Sequence, residues 1–242
     1  MSVYLWSELD RETLTAVLPD ALVVLPLGAV EQHGPHLPTG TDFMLASSLS
    51  RRAAEAAARD LPRDIVIAPL MAVGASDHHL PFGGTVSFSA ATMLAAVTDL
   101  LTSIGASGAR RIVIINGHGG NSGICRTAAA AVSSHSELTV AHVDYWRTLP
   151  GNDPEVPGHA GRFETSLVLA IRPELVLGRI ARNDPPQYLG VVGAEVHSAA
   201  EWKRIDGFTD HPENGSAEHG DLLAEQLVAG LAGVLRDLGA TL

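Results

Sequence analysis

Apolar residues along the chain gather into two kinds of segment that alternate. Short, almost continuously apolar runs at 22–28, 65–70, 111–115 and 138–143 have the length and composition of strands covered on both faces. Between and after them, the sequence predicts helices near 42–59, 90–104, 122–133, 162–171 and 220–238. Ser89 stands where an N-cap belongs for the second helix, and Pro173 stops the fourth. Strands alternating with helices predict an α/β fold, a mostly parallel central sheet flanked by helices, in a single domain spanning 1–242. Stretches rich in Gly and Pro near 77–84, 148–158 and 183–193 are long enough to be functional loops.

The segments just beyond two of the strands add chemistry to this pattern. Behind the first strand comes Glu31-Gln32-His33-Gly34-Pro35-His36-Leu37-Pro38, with Asp42 soon after. In an extended continuation Glu31 and His33 project to one side and Gln32 to the other, so one site can use both. A carboxylate and a neutral imidazole suit zinc, manganese or iron(II) better than calcium or magnesium. A polar loop whose histidine bonds to backbone is the competing reading of this segment alone. The strand at 111–115 leads into Asn116-Gly117-His118-Gly119-Gly120-Asn121, at the kind of strand end where α/β proteins place their sites. A third segment, from Gly158-His159 to Glu164-Thr165, puts a histidine and a carboxylate at the opening of an apolar helix. The Gly117–Asn121 loop lacks the Gly-Lys-Ser/Thr and dinucleotide spacings, which argues against nucleotide binding.

Composition narrows the possibilities further. Hydrophobic residues make up 46% and charged residues 18% of 242, the balance of a globular chain. A net charge of -11 argues against nucleic acid or an anionic membrane as partner. Cys125 is the single cysteine, which excludes an intrachain disulfide and a cysteine-based zinc cluster. With no basic start, no apolar signal core and no membrane-length stretch, the reading is a soluble, unprocessed, cytoplasmic protein.

Taken together, the Glu-x-His-Gly-x-His-x-Pro run with its following Asp, the Asn-Gly-His element and the downstream His and Glu-Thr resemble the creatininase family of metal-dependent amidohydrolases, over about 25–171. The resemblance implies metal ligands at Glu31, His33, Asp42 and His118, with Asp42 bridging. Creatininase takes a further glutamate two residues after that histidine, where this chain has Gly120; Glu164 fills the deficit. The implied cofactor is two divalent ions, zinc first, with manganese or iron as alternatives. Three carboxylates would offset three of their four positive charges and a bridging hydroxide the last; that hydroxide is the nucleophile, since metal lowers the pKa of bound water from 15.7 to about 7 in zinc sites.

The catalytic residues implied are Glu164 and His159. Five residues apart, they would stand roughly 140° apart on one helix, so His159 is placed in the preceding loop, donating a proton to the leaving nitrogen. Ser76, Asp77, His78, Gly119 and Gly120 are expected to line the substrate pocket. Asp77-His78-His79 is not read as a metal cluster, because adjacent loop residues rarely converge on one ion. Gly119-Gly120 replaces a Tyr-Glu pair, which opens the pocket, and Val156-Pro157-Gly158 replaces the tryptophan lid before the histidine; Trp146 or Trp202 would have to cover the site instead. The expected activity is hydrolysis of a non-peptide C–N bond in a small-molecule amide, cyclic amide or formamide other than creatinine. Alternatives are a precursor-peptide peptidase, a pyrimidine-formamide hydrolase, or a metal-bound oligomeric binding module without turnover. The family also implies a closed homo-oligomer, a hexamer.

Overall fold

The computed structural model describes residues 1–151, 153, 156–178, 181, 191 and 196–241. Five parallel strands, β1 (Val3–Leu5), β2 (Leu22–Leu27), β3 (Ile65–Ile67), β4 (Arg111–Asn116) and β5 (Thr139–Asp144), pair in the order β1-β3-β2-β4-β5. Every residue of β2 is buried because its alternate side chains enter two different cores. Leu22 and Val24 join α2 (Thr41–Ala57), α5 (Arg162–Ile171) and α7 (Ala217–Thr241), while Val23, Leu25 and Leu27 join α1 (Arg11–Val17), α3 (Ala90–Ala106) and α4 (Ser122–Ser133). The result is a parallel sheet between two helical layers, as the alternation of apolar runs predicts.

The chain leaves β2 for β3 on one side and later returns as β4 on the other. Loops after β2 and β4 therefore part at the C-terminal end of the sheet, where such folds usually have a crevice and place a site. Three short elements, β1, α1 and α6 (Ala199–Arg204), are not foreseen from the sequence pattern. Each is too brief for periodicity to register; Asp10 starts α1 by accepting from the Thr13 amide at 2.8 Å. Ser89 caps α3 through the Thr92 amide at 3.3 Å, and α5 ends just before Pro173, both as expected. α2 begins at Thr41 with Gly40 at the cap, so Asp42 lies within the first turn and its carboxylate is free of capping. Of the loops expected from composition, 183–193 lies outside the described residues apart from Val191. Among the described residues no helix is long and apolar enough to cross a membrane.

The long helix α7 braces α5 and α2 together, so it sets where the first turns of both helices sit. The approach is close enough that a Cβ on Gly220 would lie 1.8 Å from the Ser166 carbonyl oxygen and 2.9 Å from the Ala170 Cβ. Gly220→Ala is therefore expected to destabilise the protein by about 1–3 kcal/mol or more, overriding the helix-propensity gain of about 1 kcal/mol. Urea denaturation checks this; an unchanged or raised midpoint would mean that α5 and α7 separate without cost.

Candidate metal centre

The loops after β2 and β4 and the first turns of α2 and α5 bring their polar side chains into one buried cluster. Asp42 is its centre: Oδ1 lies 3.0 Å from His33 Nε2 and Oδ2 lies 3.1 Å from His118 Nδ1. On the His33 side Glu164 Oε2 stands 3.6 Å from the same Nε2. On the other side Glu31 Oε1 is 3.2 Å from His118 Nδ1 and 3.4 Å from His159 Nδ1. The six side chains are all buried. His159 lies in the loop before α5, as the angular argument requires, and Glu164 in that helix's first turn.

Each of these imidazoles has its outer nitrogen against a backbone carbonyl. His33 Nδ1 is 3.1 Å from the Glu31 oxygen, His118 Nε2 is 3.1 Å from the Ala75 oxygen, and His159 Nε2 is 2.8 Å from the Gln32 oxygen. A carbonyl only accepts, so the outer nitrogens carry protons, and each inner nitrogen faces the carboxylates either with a lone pair, which a cation could take, or with a second proton. Lone pairs facing carboxylate oxygens repel unless positive charge lies between them. Both carboxylate oxygens of Glu31 and Oδ2 of Asp42 are buried without a hydrogen-bond partner among the described residues.

The titration behaviour has the same origin. Burial alone would lower His33, but Asp42, Glu164 and Glu31 outweigh it and raise it to about 10. His118 rises well above its ordinary value because Glu31 and Asp42 likewise overcome burial. Glu164 is pushed up to about 8 by burial and by Asp42 and Glu31, against the opposing pull of His33. His159, buried and facing His33 and His79, falls well below the usual imidazole range. The field thus holds positive charge at the two nitrogens beside Asp42 and keeps His159 neutral.

This donor set fits divalent cations with mixed nitrogen and oxygen preference. Three groups offer ligand atoms within 4.8 Å of one another: His33, Asp42 and Glu164; Glu31, His33 and His159; and Glu31, His78 and His118. The appearance of His78 in the last group is new relative to the sequence reading, in which it only lines the pocket. His79 is buried as well, with Nε2 3.8 Å from Glu31 Oε1. Asp77 turns outward, is exposed and accepts from Ser87 Oγ at 2.7 Å, so it stands apart from the cluster.

Other neighbours set the shape of the crevice. Ser76 is buried with Oγ 3.2 Å from His118 Nε2, and Gly119 and Gly120 are exposed at the mouth. His36 Nε2 donates to the Ala160 carbonyl at 2.9 Å, and the Ala160 amide donates to Glu164 Oε2 at 2.6 Å, so His36 holds the loop that holds Glu164. The C-terminal segment, which sequence reasoning left uninterpreted, forms a wall. Thr209 grips His159 through two backbone-directed bonds of 2.8 Å, and Trp202 on α6 lies 4.6 Å from His79 and 5.5 Å from His78 and His159, ring centre to ring centre. Trp146 packs against Tyr145 instead. Of the aromatic residues weighed as covers, Trp202 is the one against the cluster.

Comparison with known proteins agrees with the fold. The profile of the creatininase family, described as creatinine amidohydrolase, matches residues 7–235, well beyond the 25–171 in which the motifs lie. The chain belongs to that family. It is 28% identical over 252 residues to a creatinine amidohydrolase of Pseudomonas putida, covering 96% of this chain and 94% of the other. A mycofactocin precursor peptide peptidase of Mycobacterium tuberculosis is 40% identical over 160 residues, 62% of this chain and 59% of that protein. Among solved structures, a manganese creatininase superposes with a TM-score of 0.81 at 27% identity, covering 98% of both chains. A mutant creatininase of Zn-Zn type gives 0.78 at 27% identity, covering 96% of this chain and 97% of that one.

The mouth contains a built-in contrast between adjacent glycines. A Cβ on Gly120 would lie 2.4 Å from His118 Nε2 and 2.5 Å from the Ala75 oxygen, the two atoms that fix the His118 ring, whereas a Cβ on Gly119 meets nothing within 4 Å. Gly120→Ala is expected to weaken zinc or manganese binding by about 10–100-fold, as disturbing a ligand's outer partner does, while Gly119→Ala leaves affinity unchanged. Isothermal titration of the two variants side by side tests this; equal affinities would show that the His118–Ala75 contact does not govern the site.

Proposed function

We propose that the protein is a two-metal amidohydrolase that cleaves the C–N bond of a small amide, cyclic amide or formamide other than creatinine. The observation that carries the reading is the position of Asp42, with one oxygen toward His33 and Glu164 and the other toward His118 and Glu31. The donors divide into two sets sharing one carboxylate, which is what a dinuclear centre requires. In this reading His33, Asp42 and Glu164 hold one ion and Glu31, Asp42 and His118 the other, with zinc, manganese or iron as occupants. Bound ions would lower the pKa of an intervening water and polarise the substrate carbonyl.

The chain's own groups supply the rest. His159 is neutral, its ring fixed by the Gln32 carbonyl and its Nδ1 lone pair turned inward, so it can accept a proton during attack and return it to the departing nitrogen. Ser76, His78, Gly119 and Gly120 border the mouth, where they would receive the substrate; Asp77, from its outward position, would contact only a substrate that extends past the rim. Trp202 closes the wall beside His159 and limits how water enters. A second reading, a short peptide as substrate, is favoured by the 40% identity to the precursor peptide peptidase and by the open space at Gly119.

Hydrolysis by the metal-loaded protein across creatinine, cyclic amides, N-formyl amides and short peptides separates these readings. Loss of activity with a chelator and recovery with zinc or manganese is expected. Two bound ions with no hydrolysis of any member would leave a binding module.

The assignments lead to three expected outcomes. Glu164→Gln is expected to lose or weaken one ion and to lose turnover far more than stability; an unchanged metal content would reduce Glu164 to a helix-opening charge worth about 0.3–1 kcal/mol. His159→Asn should keep the metals and lower turnover by about 10²–10⁴-fold, with smaller losses for amides whose leaving nitrogen is weakly basic. Metal loss, or one deficit for all leaving groups, would make His159 a ligand or a positioning group. Finally, the protein is proposed to be cytoplasmic and to assemble as a closed homo-oligomer, a hexamer, and light scattering at micromolar concentration should give that mass; a monomer contradicts it.

A further inference from the structure

The side chain of Gln32 lies between two of the proposed ligands in sequence yet points away from them, and its surroundings determine its orientation. Its Oε1 accepts from the Gly34 amide at 2.9 Å, and its Nε2 donates to the Gly207 carbonyl at 2.5 Å. One partner only donates and the other only accepts, so the amide cannot be turned over. The second hydrogen of Nε2 is directed at His79 Nδ1, 2.8 Å away. His79 Nδ1 is therefore an acceptor, and the proton of the neutral ring sits on Nε2.

That Nε2–H is buried and has no hydrogen-bond partner among the described residues. It faces Glu31 Oε1 at 3.8 Å, too long for a hydrogen bond as the side chains stand, and that oxygen, though 3.2 Å from His118 Nδ1 and 3.4 Å from His159 Nδ1, has no hydrogen-bond partner among the described residues. The ring has little freedom to turn elsewhere, because it stacks on His159 at 4.2 Å and meets Trp202 edge-on at 4.6 Å. A closure of roughly 0.8 Å brings the pair to ordinary N–H···O distance.

We propose that Gln32 and His79 are positioning residues that form a relay, amide to imidazole to carboxylate, whose function is to present a fixed N–H to Glu31. A neutral donor suits this task because it orients the carboxylate without cancelling the charge that the ion needs. The relay also ties the ligand to the wall, since the same Gln32 amide holds the Gly207 turn that follows Trp202. The inference rests on Glu31 being a ligand, and its test separates the two claims.

Neutron diffraction on the zinc-loaded protein is expected to place deuterium on His79 Nε2 and none on Nδ1; the reverse would overturn the relay whatever the variants do. Zinc titrations of His79→Phe, which keeps the stacked ring but removes the donor, should show one of two ions weakened by about 10–100-fold and the other unaffected. In Gln32→Glu the new carboxylate accepts from Nδ1, so deuterium should move to Nδ1 and the same ion should weaken. If the wild type binds two ions and His79→Phe keeps both affinities while turnover falls, the N–H serves the substrate and the relay is wrong. Should the wild type bind no ion, the reading of Glu31 as a ligand fails first, and the neutron result still reports the tautomer.

Discussion

Glu31, Asp42 and Glu164 place three carboxylates in one buried crevice, and the rest of the site is arranged around the positive charge this demands. Carboxylates taken out of water cost several kcal/mol each unless a cation or hydrogen bonds replace the lost hydration. Here few hydrogen bonds do so: Glu164 has the Ala160 amide, but Glu31 has none among the described residues. The inward nitrogens of His33 and His118 are correspondingly driven to hold protons. A pair of divalent ions, as proposed, would answer the same demand with greater charge and with a preference for both nitrogen and oxygen donors. The carbonyl contacts that orient each imidazole make sense on those terms, because they reserve one lone pair per ring for the centre.

Such a cluster needs a scaffold that resists its repulsion. The clustered side chains follow two strand ends or open two helices, so their backbones are anchored to the layers of the sheet. α7 packs against both helices that carry Asp42 and Glu164, and meets α5 at a distance only a glycine permits. The divergence of the chain after β2 and β4 opens the crevice at the place where these four elements meet. Glu164 in the first turn of α5 also lies at the positive end of that helix, which favours its ionised form.

Position 120 connects the local backbone to the choice of ligand. With no room for a Cβ between His118 and Ala75, the loop cannot carry a glutamate there without losing the contact that fixes His118. In the proposed site Glu164, which approaches His33 from α5, would supply that carboxylate from another element. The glycines leave this edge lined by backbone, and a Cβ on Gly119 would meet nothing within 4 Å. The wall on the opposite side is supplied by Trp202 and the segment around Gly207 to Asp210, joined to the ligand loops by Gln32 and Thr209.

The strands, the long helices and the polar residues at the strand ends are legible from the sequence because each depends on neighbours in the chain. Uniform apolar runs signal strands covered on both faces, and carboxylates with imidazoles clustered after them signal a site, while the choice of Glu31, His33, Asp42, His118 and Glu164 as a ligand set came from the resemblance to a known family. Local chemistry is less decisive at the start of α2: Asp42 suits a cap, yet Gly40 occupies that position and frees the carboxylate. What only the tertiary structure decided are contacts between distant parts of the chain. Gln32 meets His79 across 47 residues, His159 across 127 and Gly207 across 175, and no periodicity encodes such separations. The same holds for Trp202 and for the direction of each side chain in Asp77-His78-His79, where one turns to solvent and two turn inward. Composition identified these residues as polar or aromatic; the packing of α6 and the tight turn at 77–82 determined which of them face the centre.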